Sequence, residues 1–165
     1  MNTSDNATKH DTEISAPADL PTITIVREFD AAPEKVFLAW TDPQLFARWS
    51  GPRSIETRIE HWDARTGGNW RYTAWRDGTR IAGFYGSFHE VRPNQRLVQT
   101  FTYDAVPDGV SLETMTFEPL PDGRTRTRAV AVVDSLEARD AILSSGMDTG
   151  VREGYQKLDE LLLAL

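Results

Sequence analysis

The residues of this chain best suited to chemistry are a few histidines, one carboxylate in an apolar setting, and tyrosines near them in sequence. His61 and His89 fall in runs that read as strands, where either can face an interior; His10 lies near the chain start. Glu113 shares a strand face with Met115 and Phe117, which turns it toward a core. A carboxylate or imidazole held in a dry pocket acquires a shifted pKa and can move protons. Glu113, His61 and His89 are therefore the catalytic candidates, with Tyr72 and Tyr103 beside them. The same three could form a His–His–carboxylate metal site, but no HExxH or comparable tight motif supports one. A hydrogen-bonded core histidine is the plainer reading for each. We expect no metal and no cofactor.

Other chemistries have less to work with. The 165 residues include no cysteine, which excludes thiolate zinc sites, thiol nucleophiles, iron–sulfur clusters and disulfide scaffolds. The serines show no nucleophile-elbow pattern, and Gly67-Gly68 reads as a turn rather than a phosphate-binding loop. Asp63 and Arg65 precede that turn at a spacing suited to pairing across it. A net charge of −7 argues against a nucleic-acid surface.

The elements that position these groups follow from hydrophobic period and turn chemistry. Thr22 to Phe29 is β-branched and apolar and reads as a strand. Two helix starts follow, Pro33-Glu34 and Asp42-Pro43, each placing proline where its missing N–H costs nothing. From Ile55 to Val133 the period is two, cut by Thr66-Gly67-Gly68, Asp77-Gly78, Pro93-Asn94, Pro107-Asp108-Gly109 and Pro121-Asp122-Gly123. Six strands joined by five tight connections predict an antiparallel meander, and the first strand makes seven. Asp134 with Glu137 fits a capping box, Ser144-Ser145-Gly146 interrupts the helix it opens, and Met147 to Leu165 is a long amphipathic helix.

Strand, two short helices, meander and long C-terminal helix describe an α+β architecture with helices on one face of a curved sheet. Such a geometry leaves room between helix and sheet, and two patterns bear on that room. Gly146, Gly150 and Gly154 recur on one line of the long helix; they either open space for a ligand or let its backbone approach a neighbour. On the last strand, outward Arg124, Arg126 and Arg128 leave small Thr125, Thr127, Ala129 and Ala131 facing inward. By the same alternation His61, Trp70 and Tyr72 point inward. The expected lining is Trp40, Trp49, His61, Trp70, Tyr72 and Phe101 from the short helices and the sheet. Glu113 and Met115, then Met147, Val151 and Tyr155 on the long helix, complete it.

Residues 1–21 hold one lysine against four acids, with Ser, Thr, Asn and Pro between them, and carry three of the seven net negative charges. That composition predicts a disordered acidic tail and a folded domain over 22–165. The tail has no apolar run, so it is neither an export signal nor an anchor, and no span of about 18 apolar residues occurs elsewhere. A cytoplasmic location is the expectation.

The run Ala32-Pro33-Glu34-Lys35-Val36-Phe37-Leu38-Ala39-Trp40-Thr41-Asp42-Pro43, with Arg48-Trp49 and Gly51-Pro52, resembles the opening of SRPBCC (START-like) domains. The nearest subgroup is the one named after the activator of the ninety-kilodalton heat-shock-protein ATPase. Asp63-x-Arg65-x-Gly67-Gly68, Asp77-Gly78, Gly86, Glu90-Val91, Pro93, Arg96-Leu97-Val98, Thr116-Phe117-Glu118 and Gly123-x-Thr125 follow in the family's order. The resemblance implies a helix-grip fold: a curved seven-stranded antiparallel sheet around a long C-terminal helix. It further implies a cavity for hydrophobic small molecules, and some relatives are polyketide cyclases or aromatases. It transfers no catalytic set. Many relatives have Gly-Trp where this chain has Gly146-Met147, which changes the shape of the cavity mouth. The eukaryotic co-chaperone has a further N-terminal domain without counterpart here, which counts against a chaperone partner. Non-covalent binding of a hydrophobic or aromatic small molecule is the leading expectation. A cyclase-, aromatase- or hydrolase-type enzyme in the same pocket is the second, and a chaperone-associated stress-response module the third; a homodimer is left open.

Overall fold

A computed structural model describes residues 10–165. Its strands are β1 (Glu13–Ser15), β2 (Thr22–Phe29), β3 (Glu56–Trp62) and β4 (Asn69–Arg76). They continue with β5 (Thr79–Arg92), β6 (Arg96–Tyr103), β7 (Ser111–Leu120) and β8 (Arg124–Val132). All eight form one antiparallel sheet in the order β1-β2-β8-β7-β6-β5-β4-β3, so the six-stranded meander is present as read. Its hairpins turn where the sequence permits positive φ: Asp77 and Gly78, at +50° and +78°, join β4 to β5 as a two-residue turn.

Helices α1 (Pro33–Thr41) and α2 (Pro43–Trp49) follow β2. Asp42 separates them by capping α2, its Oδ1 accepting from the backbone N–H groups of Gln44 (2.9 Å) and Leu45 (3.1 Å). Helix α3 (Leu136–Leu143) ends before Gly146, whose φ of +88° breaks the chain away from α4 (Met147–Ala164). The cap of α3 is Ser135, whose Oγ accepts from the Ala138 N–H, and Glu137 lies in the first turn; the expected Asp134–Glu137 box does not form.

Two expectations need correction. The sheet has eight strands rather than seven, because Glu13–Ser15 pairs with Thr24–Val26. Residues 10–21 are accordingly part of the fold and not a disordered tail; residues 1–9 lie outside the described residues. What holds this segment is remote in sequence. Arg139 Nη1 donates to the carbonyls of Pro17 and Leu20, and Arg152 Nη1 to that of Thr12 (2.7 Å). Composition alone carries no trace of such contacts.

The core lies toward one end of the concave face. There the second half of α4 (Tyr155, Leu158, Leu161, Leu162) meets α1, Trp49 of α2, Phe29, Leu97, Met115 and Phe117. Aromatic rings meet there edge to face, Phe29 with Tyr155 at 5.4 Å and Phe37 with Phe117 at 5.1 Å. Buried Arg27 of β2 ties α4 to the sheet through a two-pronged ion pair, Nη1 to Asp159 Oδ1 at 2.9 Å and Nη2 to Oδ2 at 2.6 Å. Gly154 explains the close approach of α4 to the chain beyond α2: a Cβ there would sit 3.2 Å from the Trp49 carbonyl oxygen.

Candidate functional site

The inward-facing residues of the central strands change character along their length. On β8, Thr125 and Thr127 are fully buried at 0% and 1%, whereas Ala129 and Ala131 are half-buried. On β7, Phe117 and Met115 are buried and Glu113 is half-buried; on β6, Leu97 is buried and Gln99 and Phe101 are half-buried. Ile25 of β2, Tyr72 of β4 and Phe84 of β5 continue the half-buried set. Beyond it, Ile23 and Ser111 are buried again, so the patch is bounded. Ala129 and Ile25 pack against the edge of the core cluster, and Ala131 lies two residues farther along β8. In the first half of α4 Met147 and Val151 are half-buried, and Val151 packs against the core cluster.

The patch is aromatic with one polar centre. Trp70 stacks on Tyr72 (5.4 Å, 21°) and touches Phe101; Phe84 links Tyr72, Phe101 and Tyr103. Glu113 and Gln99 are cross-strand partners, and Gln99 Nε2 donates to Glu113 Oε2 at 3.0 Å. Burial pushes the Glu113 carboxyl up to about 7, against the opposing pull of that hydrogen bond. Burial and then the charge of Glu113 also raise the Tyr72 hydroxyl; the same two causes raise Tyr155, with Arg27 opposing. Both tyrosines thus lie within electrostatic reach of one acid.

Tyr72, Phe101 and Glu113 come together at this patch and Trp70 backs it, whereas Met147 is half-buried on α4 and Val151 packs against the core cluster. Three other expected lining residues belong to the packed end. Trp49 is buried with its Nε1–H on the Ala39 carbonyl (2.8 Å), Met115 is buried in the core cluster, and Trp40 is wedged among Phe29, Trp49, Phe117 and Tyr155. Tyr155 bridges the two, its ring in the core and its hydroxyl without a hydrogen-bond partner among the described residues.

His61 is misplaced by the sequence reading. A bulge between Ile59 and His61 shifts the register, turning Trp62 inward and His61 out to pair with Asn69 Oδ1. His89 is exposed as well, on the opposite face from Phe88. His61, His89 and Glu113 therefore do not converge, and Glu113 is the one catalytic candidate that faces the interior. Asp63 and Arg65 pair at 2.8 Å as read. Phe84, Gln99, Ile25 and Trp62 join the site region without having been anticipated; the Leu97-Gln99-Phe101 alternation already contained the signal for Gln99.

The line of glycines does not open the space. Gly146 lies outside the helix, a Cβ at Gly150 would sit 3.6 Å from Pro52 Cδ, and Gly154 packs on backbone. Two concavities occur elsewhere. One of about 380 Å³ lies on the outer face near Asn69, Arg71, Tyr85, Thr100 and Thr102, where Arg71 covers the Tyr85 ring. Another of about 220 Å³ lies between α2 and α4 among Arg48, Arg53, Lys157 and Glu160. The first has a mixed lining that also includes Trp70, Pro107 and Val110, and the second is lined mostly by charged side chains.

Residues 30–163 match the family described as activator of Hsp90 ATPase homolog 1-like protein. The chain belongs to that family. A structure from Rhodobacter sphaeroides is 29% identical, covers 94% of this chain and 100% of its own, and superposes with a TM-score of 0.84. Proteins from Mycobacterium smegmatis (26%, 92% and 96%, 0.82) and Arthrobacter aurescens (27%, 93% and 92%, 0.83) share the architecture. Among curated proteins none matches. The helix-grip form expected of this homolog 1-like family is thus present, with β1 as an additional edge strand. No described helix is long and apolar enough to cross a membrane.

Proposed function

We propose that this member of the family binds a hydrophobic or aromatic small molecule between the sheet and the first half of α4. The observation that carries this reading is the bounded, half-buried patch on an otherwise buried face, above all inward Ala131 beside Glu113. Aromatic walls around a small number of placed polar groups are the usual make-up of a ligand site. Ala131 lies directly opposite Glu113 on the neighbouring strand, so a large side chain there would fill the space. The test uses the neutral fluorophore N-phenyl-1-naphthylamine together with native mass spectrometry of freshly purified protein. The expected result is a blue-shifted fluorescence gain that Ala131→Phe abolishes while the melting temperature stays within a few degrees. No gain with the unaltered chain, and no co-purified molecule, would remove the reading.

A second reading, acid–base catalysis on the bound molecule, is favoured by Glu113 alone. A carboxyl buried beside two tyrosines with a pKa of about 7 is poised to exchange a proton at neutral pH. Turnover of any bound substrate would then fall at least about a hundredfold in Glu113→Gln, with binding retained. Binding lost together with turnover would argue against this role.

A further inference from the structure

The charges facing the space between sheet and helix do not cancel. Inward positions of the sheet contribute Arg27 and Glu113, and α4 contributes Asp159. Arg27 is ion-paired: both guanidinium Nη atoms bond the Asp159 carboxylate and Nη1 also donates to the Glu28 carbonyl at 2.8 Å, while its buried Nε has no hydrogen-bond partner among the described residues. That pair is neutral as a unit. Glu113 has no such counterpart. Its Oε2 accepts one bond from a neutral amide, and its Oε1 has no partner among the described residues. The hydroxyls of Tyr72 and Tyr155, both within its electrostatic reach, also lack hydrogen-bond partners among those residues. The site therefore offers one uncompensated acid, two unengaged hydroxyls and a wall of aromatic faces.

We propose that the occupant is a lipophilic amine, its ammonium group held by the free Glu113 oxygen, with the aromatic faces of the patch around its apolar body. The inference rests on reading this space as a ligand site. A charge-assisted hydrogen bond from N⁺–H to a buried carboxylate is roughly twice as strong as one between neutral groups. The electron-rich faces of Tyr72, Phe84 and Phe101 favour a cation over an anion, and a ligand carboxylate would meet Glu113 with no unpaired inward cation to offset it.

The groups that act on or respond to Glu113 are Gln99 from β6, Tyr72 from β4 and Tyr155 from α4, and Arg27 of β2, paired with Asp159 of α4, acts in turn on Tyr155. With both tyrosines pushed above their ordinary range, Glu113 is the one of these hydrogen-bonding neighbours that changes charge near neutrality. Amine affinity should rise between pH 5.5 and 8, as Glu113 loses its proton and an alkylamine keeps its own.

The test compares 1-naphthylmethylamine, 1-naphthalenemethanol and 1-naphthoic acid by calorimetry on the full chain at fixed salt. At pH 8 the amine should bind about tenfold or more tighter than the alcohol, and the acid more weakly than either. Glu113→Gln should erase the amine's advantage and leave the alcohol within about threefold, and lowering the unaltered chain to pH 5.5 should shrink that advantage without any substitution. An amine no tighter than the alcohol overturns the inference and leaves the hydrophobic site standing. So does an advantage that survives Glu113→Gln, since attraction to the acidic surface would then explain it. Binding of none of the three overturns both.

Discussion

The two ends of the concave face are built from the same strands, yet one is packed and the other is not. At the packed end Phe29, Phe117 and Leu158 interlock with α1, α2 and the second half of α4, and threonines on β8 bond backbone carbonyls, Thr125 Oγ1 to Ala31 O at 2.7 Å. At the other end the same strands present half-buried Ala131, Gln99 and Glu113, with Ala129 at the boundary against the core. The difference lies above the sheet more than in it. Both short helices cover the packed end, whereas over the other end α2 reaches only with Phe46, whose ring meets Tyr72 at 5.3 Å. Stability and binding can thus be assigned to different halves of one layer.

That division can be broken by substitution, and the largest effect should come from the core. Phe117→Ala should cost about 4 kcal/mol in urea unfolding, the range for a buried phenylalanine, whereas half-buried Phe101→Ala should cost clearly less. Equal losses would show that the two ends are packed alike. Asp159→Ala should cost about 3 kcal/mol, because it leaves the buried Arg27 guanidinium without its partner. Arg27 is 2% exposed and cannot turn to water.

At the open end the expected sign reverses. The folded state holds Glu113 at about 7 against an ordinary value of 4.5, so the native chain binds more protons than the unfolded one between those pH values. Its contribution is present in full below about 4.5 and is lost as pH rises through 7. Glu113→Gln should therefore stabilise the protein at pH 8, by up to about 3 kcal/mol, and have little effect at pH 4. Paired urea titrations at the two pH values check this; equal shifts at both would contradict the desolvation of Glu113. The smallest effects belong to the glycines. Gly150→Ala should stabilise by up to about 1 kcal/mol, since its Cβ meets Pro52 at an ordinary 3.6 Å. Gly154→Ala should destabilise, because its Cβ would press on backbone that cannot yield easily.

The meander, both proline-started helices and the break at Gly146 were legible because period and turn chemistry are local properties. Tyr72 and Glu113 lie on the inner face where alternation put them. The same alternation failed at His61, where one bulge residue reverses the faces of everything after it. Trp75 lies on the outer side by alternation alone, its ring beneath Arg58 at 4.0 Å, so it is no part of the inner face. The density of tryptophans therefore does not map one cavity. Strand β1 escaped detection because its anchors, Arg139 and Arg152, lie more than 100 residues away. Gly154 was visible as an anomaly, but only the position of the Trp49 carbonyl shows that it serves packing.

The contrast between the two ends is tested most directly by methyl-resolved NMR during a titration with N-phenyl-1-naphthylamine. Shifts confined to Ala129, Ala131, Met147, Val151 and Ile25, with Leu158, Leu161 and Leu162 unmoved, are the predicted result. Perturbation at those leucines, or only at Val110 beside the outer concavity, would contradict it.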